Sequence, residues 1–93
     1  TGRHPTEGTV GTGIEEQTRY ALERIKIILE ECGSSLENVL TNTCYLTKAE
    51  DLAGFNKVYS EYFPENFPAR TAILVAFGAS DNLVEVTSTA FVA

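Results

Sequence analysis

The spacing of apolar residues predicts an α+β domain with two helices packed on one face of a mixed β-sheet. Three observations carry this. Apolar residues recur at helical spacing over residues 13–32 and again over 52–62. Residues 39–46, 71–77 and 83–92 are rich in the β-branched and aromatic types that suit a pleated surface. The order helix, strand, helix, strand, strand separates the helical and strand patterns without interruption.

Residues 1–13 are rich in glycine and threonine and read as a loop. Thr12 and Glu15 stand three apart, as in a capping box, and precede a stripe of Leu22, Ile25, Ile28, Leu29 and Cys32. Gly33 is placed to end that helix in a left-handed conformation. In the first strand, Leu40, Asn42, Cys44 and Leu46 share one face, and Val39, Thr41, Thr43 and Tyr45 the other. Thr47 with Glu50 reads as a second capping box, ahead of a helix carrying Leu52, Phe55, Tyr59 and Tyr62 and stopped by Pro64. Gly54 inside this helix is a candidate for close contact with the sheet. The nearly continuous apolar run at 71–77 predicts a strand covered on both faces. Residues 78–82 form a turn cluster, and the last strand alternates Val84, Val86 and Ala90 against Glu85, Thr87 and Thr89. That second, threonine-rich face of the sheet is expected to pack against another copy of the chain.

Ninety-three residues suit one domain, 1–93, with a core small enough for oligomerisation to help. Thirteen acids against seven scattered bases give a net charge of −6, which argues against nucleic acid as a partner. No apolar run approaches the roughly 18 residues of a membrane span. No secretory pattern is visible, and Cys32 and Cys44 read as two buried thiols in a reducing compartment, so a cytoplasmic protein is expected. Their spacing matches no zinc pattern, and no metal or organic cofactor is expected. The chain lacks a starting methionine, and it is expected to be less than the whole gene product. His4 lacks a partner for a triad, and Gly8, Gly11 and Gly13 lack the spacing of a phosphate loop.

Arg70 stands at the head of an apolar run, where a guanidinium needs a carboxylate or another acceptor. The acid to weigh against it is Glu85, set among Leu, Thr and Phe, where a carboxylate can act as a base or hold a water. A hairpin centred on Ala79 and Ser80 would put Arg70 opposite Thr89 and Glu85 opposite Leu74. The two charges would then lie about 13 Å apart along the sheet, at roughly 3.3 Å per residue. Each is expected to find its partner in water, a ligand or a neighbouring subunit.

Phe67-Pro68-Ala69-Arg70-Thr71, the apolar strand after it and Leu83-Val84-Glu85-Val86 together resemble the RidA/YjgF family of enamine/imine deaminases. Thr1-Gly2-Arg3-His4-Pro5, the segment from Leu36 to Leu46, and Phe55-Asn56 with Tyr59 and Phe63 are similar to that family in spacing. The resemblance implies a chorismate-mutase-like fold assembled as a homotrimer with sites between subunits. It implies that Arg70 holds the substrate carboxylate and that Glu85 positions the water that hydrolyses the imine, releasing ammonia and a 2-keto acid. It also implies that the backbone at Ala72 orients the substrate and that Gly2 lies at the pocket wall. Ala72 stands where many members carry a cysteine, and Thr87 where a second acid is common. The family's N-terminal strands are absent from these 93 residues. The resulting sheet edge must either be covered by another segment or mark the chain as a piece of a longer protein.

Three functions compete on this reading. The leading one is hydrolysis of 2-aminoacrylate-type intermediates. The alternative is non-catalytic binding of a small carboxylate, such as a 2-keto acid or fatty acid, on the same trimeric fold. The ribonuclease activity sometimes attached to the family fits poorly with the acidic charge.

Overall fold

In the computed structural model, residues 2–65, 67–78 and 81–92 are described. The elements run α1 (Gly13–Glu31), β1 (Val39–Leu46), α2 (Leu52–Tyr62), β2 (Ala69–Leu74) and β3 (Val84–Ala90). The sheet order is β2-β1-β3, with β1 parallel to β2 and antiparallel to β3. Both helices cover one face, as the periodicity predicts.

The expected hairpin between the last two strands does not form. Helix α2 returns the chain parallel to β1, so β2 joins one side of that strand and β3 the other. The proposed turn at Ala79 and Ser80 lies outside the described residues. Strand β2 is therefore an edge, and all six of its residues are exposed in the single chain, where cover on both faces was expected.

Leu22 of α1, Phe55 and Tyr59 of α2, Cys44 and Leu46 of β1, and Val84 and Val86 of β3 meet in the core. A register shift between Val39 and Thr41 buries Val39 and turns Leu40 outward, the reverse of the alternation read from sequence. One extra residue at a bulge exchanges the faces of its neighbours. The stripe of α1, which Ile14, Thr18 and Ala21 extend, packs as its spacing predicts through Leu22, Ile25 and Leu29, and departs from it at three positions, Gln17, Ile28 and Cys32. Gln17, Thr18, Ala21 and Leu22 are buried, whereas Ile28 is 50% exposed and Cys32, beyond the last helical residue, is exposed.

Helix starts differ from the capping boxes predicted. The Thr12 N–H donates to Glu16 Oε1 at 2.8 Å, so the acid one position beyond Glu15 reaches back. Before α2 a short 3₁₀ turn, Ala49–Asp51, displaces the start to Leu52, and the Thr47 hydroxyl is buried without a partner. The predicted terminator holds: Gly33 has φ of 80°, where a side chain is strained. Gly54 approaches α1 and not the sheet, since a Cβ there would sit 2.7 Å from Ile14 Cγ2. Across the same helix pair, Tyr62 donates to Glu23 at 2.5 Å, and burial together with that carboxylate pushes its phenol up to about 12. Arg19 and Glu61 form an exposed bidentate pair, at 3.0 and 3.2 Å, of small net worth.

The N-terminal residues, read as loop, fold back on themselves through an antiparallel bridge between Arg3 and Val10. Buried Gln17 fastens this segment to the start of β3. Its Nε2 donates to the carbonyls of Gly11 and Asp81 at 3.1 and 2.9 Å, and its Oε1 accepts from the Leu83 N–H at 2.8 Å. Gln17→Leu keeps most of the volume but strands these backbone groups, and is expected to cost about 2–3 kcal/mol in urea unfolding.

Candidate functional site

Strand register decides what Arg70 meets. It is the Cα partner of Asn42 on β1, which in turn partners Ser88 on β3. Asn42 is buried beneath the helices, so Arg70 points to the helix-covered side, where α2 ends the sheet's cover short of the β2 edge. Its Nη1 donates to Asn56 Oδ1 at 2.7 Å. Its Cζ lies 4.9 Å from the centroid of the Tyr59 ring and 5.7 Å from that of Phe55, both within cation–π range.

A second layer of polar contacts lies below. Asn42 Nδ2 donates to the Tyr59 hydroxyl at 2.9 Å, and the Ser88 hydroxyl donates to Asn42 Oδ1. Burial pushes the Tyr59 phenol up, so it stays neutral at pH 7. Cys44 is pushed up to about 11, chiefly by burial with the Arg70 charge opposing it, and at pH 7 it is a neutral thiol and no nucleophile.

Among the described residues no carboxylate pairs with Arg70. The guanidinium is exposed, so it offers a charged fork to an anion from solvent. Two positions along the same face, Ala72 partners Cys44 and lines a hollow of about 200 Å³ with Leu46, Ala49, Leu52, Ile73 and Leu74. A carboxylate beside an apolar wall is what this corner can accommodate. A groove of about 550 Å³ between Leu36 and Glu65 carries Glu37, Glu61 and Glu65 on its walls and suits no anion.

Glu85 is not part of this corner. Val84 and Val86 turn into the core, so Glu85, between them, faces the open side beside Tyr45. Arg70 and Glu85 thus stand on opposite faces of the sheet, two strands and three register positions apart. At about 4.8 Å per strand and 3.3 Å per residue this is a separation of roughly 14 Å. Sequence reasoning also kept them apart, but by a hairpin that the strand order replaces. Gly2 is buried against α1, where a Cβ would sit 2.6 Å from Gln17 Cβ, and it lies at the start of β3, not beside Arg70. The open face carries Thr41, Thr43, Thr71, Thr87 and Thr89 around Glu85, as the alternation predicts.

Sequence reasoning missed the partners of Arg70. The helical stripe of α2 carries the Tyr59 ring into the core, while its hydroxyl belongs to the Asn42 network. Asn56 adjoins that stripe, and a lone amide beside a buried aromatic was the available signal. Among the described residues, no group of three or more His, Cys, Asp or Glu side chains is arranged to hold a metal, and no helix is long and apolar enough to cross a membrane.

Residues 1–92 match the sequence profile described as Endoribonuclease L-PSP. A RutC family protein of Pyrococcus abyssi is 46% identical over 88 residues, covering 94% of this chain and 69% of the relative. The 3-aminoacrylate deaminase RutC of Acinetobacter baylyi is 45% identical over 76 residues, covering 82% and 60%. The crystal structure of RidA from an Antarctic Psychrobacter superposes with a TM-score of 0.91 at 32% identity, over 98% of this chain and 74% of that one. The chain spans 60% to 69% of the length of these two curated relatives.

Proposed function

This chain belongs to the endoribonuclease L-PSP family, which includes the RutC and RidA proteins, and from that premise we propose that it is a hydrolytic deaminase of small imines and enamines bearing a carboxylate. The observation that carries this reading is Arg70, exposed, charged and without a carboxylate partner among the described residues. Its fork takes the substrate carboxylate, and the hollow beside Ala72 takes a short aliphatic remainder. Such an arrangement suits 2-aminoacrylate and, by analogy with the RutC relative, 3-aminoacrylate.

An enamine first tautomerises to the imine. Glu85 accepts a proton from a water as the water oxygen bonds to the imine carbon, and returns that proton to the nitrogen as the C=N π pair moves onto it, giving a neutral carbinolamine and a regenerated carboxylate. The carbinolamine then expels ammonia, leaving a keto acid for 2-aminoacrylate or an aldehyde acid for 3-aminoacrylate. Because Glu85 and Arg70 of one chain lie on opposite faces, the reaction draws them from different copies. The threonine-rich open face packs on a neighbour in a homotrimer, and each cleft joins the Arg70 of one subunit to the Glu85 of another. No metal or organic cofactor takes part in this scheme.

A coupled assay on freshly generated 2-aminoacrylate and 3-aminoacrylate tests the reading. Wild-type protein is expected to accelerate ammonia release over buffer, and Arg70→Ala to lower kcat/KM by about 10²-fold through loss of a charge-assisted bidentate pair. Wild-type protein that gives no acceleration on either substrate ends the deaminase reading. The distance between Arg70 and Glu85 favours a second one, in which the chain binds a 2-keto acid or a fatty acid without turnover. Under that reading binding depends on Arg70 and no ammonia appears.

A further inference from the structure

We infer that Asn56 and Tyr59 are positioning residues that present Arg70 to a single carboxylate; this rests on the reading that Arg70 binds the substrate. Three observations converge on it. The Asn56 carbonyl oxygen occupies Nη1 at 2.7 Å, which leaves Nε and Nη2, the two parallel donors along the side of the guanidinium, for a planar anion. The Tyr59 ring lies 4.9 Å from Cζ and backs the guanidinium with an aromatic surface. The Tyr59 hydroxyl is itself held by Asn42, whose oxygen accepts from Ser88, so the support runs from α2 through β1 to β3.

The choice of an amide has an electrostatic consequence. Asn56 accepts a hydrogen bond without carrying charge, so Arg70 keeps its full positive charge for the ligand. An aspartate at the same place would offer the same oxygen geometry and neutralise the arginine from within the chain. The site is thereby selective for anions through what its second acceptor lacks. Residues that meet only in the folded α2–β2 corner, fourteen positions apart in sequence, make up this device.

The test compares Asn56→Asp and Asn56→Ala with wild type and Arg70→Ala. Its readouts are KM and kcat on 2-aminoacrylate, Kd for 2-oxobutanoate and for its methyl ester, and Tm. Asn56→Asp is expected to raise KM and the 2-oxobutanoate Kd by about tenfold or more, with kcat within about twofold, Tm unchanged and ester binding unmoved. Asn56→Ala, which frees the fork without neutralising it, is expected to raise KM by less than Asn56→Asp. Asn56→Asp with KM and Kd within about twofold of wild type, beside an Arg70→Ala that loses the ligand, overturns the positioning role and leaves the carboxylate reading standing. A drop in Tm with equal weakening of acid and ester overturns it too, in favour of a purely structural Asn56. Binding of 2-oxobutanoate that survives Arg70→Ala removes the carboxylate reading itself, and the inference with it.

Discussion

Glu85→Ala is expected to lower kcat for imine hydrolysis by about 10²–10⁴-fold while leaving the Kd for 2-oxobutanoate within about threefold of wild type. The division follows from the sheet. Arg70 is supported on the helix-covered face by Asn56 and Tyr59, and Glu85 stands on the other face beside Tyr45, so removing it leaves the guanidinium's surroundings intact. Glu85 is also half-exposed, and its two neighbours in the strand, not its own side chain, fill the core. The folded state is therefore expected to survive, which unfolding curves for the variant check directly. Glu85→Gln separates charge from shape: the amide keeps the hydrogen-bonding outline but cannot take up the water's proton. Unchanged kcat in both variants would remove Glu85 from the mechanism. Lost turnover accompanied by lost binding would place it instead in the carboxylate site.

Phe55→Ala is expected to destabilise the protein by about 3–5 kcal/mol, a large share of the roughly 5–15 kcal/mol that holds a small domain together. Phe55 is fully buried, stacks at 5.4 Å on Tyr59, and sits where α2 meets the sheet. Its loss leaves a cavity that a domain this small has few side chains to refill. Phe55→Leu retains most of the volume and is expected to cost less than about 1.5 kcal/mol. The difference between the two urea midpoints measures the cavity. Equal midpoints would show that α2 relaxes onto the sheet, and that the packing seen around Phe55 is not what holds it there.

The helices were legible in the sequence because their signals are local. Ile25 and Leu29 are at helical spacing, and Gly33 ends α1 where a left-handed residue is required. The strands were legible as strands for the same reason. Their order was not, since a turn-rich segment after β2 looks like a hairpin whether or not its flanking strands pair. What places β3 against β1 is the parallel return of β2 after α2, and nothing in residues 78–82 encodes it. The bulge at Val39 and Thr41 was hidden in the same way, because a regular alternation gives no hint of an extra residue.

The site was legible in part. Arg70 stood out as a charge in an apolar run, and the family resemblance, together with the RidA-like, chorismate-mutase-like fold, agrees with the profile match. Its supports did not stand out, because Asn56 reaches it only once α2 is laid over β2. Within one chain Ala72 shares the face of Arg70, and Gly2 is held by Gln17 beside the start of β3, the strand that carries Glu85.

Gly54 gives this arrangement a mechanical side. The glycine sets how closely α1 and α2 can approach, and the next two residues along α2 are Phe55 and Asn56, which touch Arg70. Interhelical spacing and the attitude of the guanidinium are thus one adjustment. A bulkier side chain at position 54 or position 14 would be expected to tilt the guanidinium of Arg70 without altering a residue that touches it. An exchange at the helix interface can therefore reorient the arginine while the arginine itself stays the same.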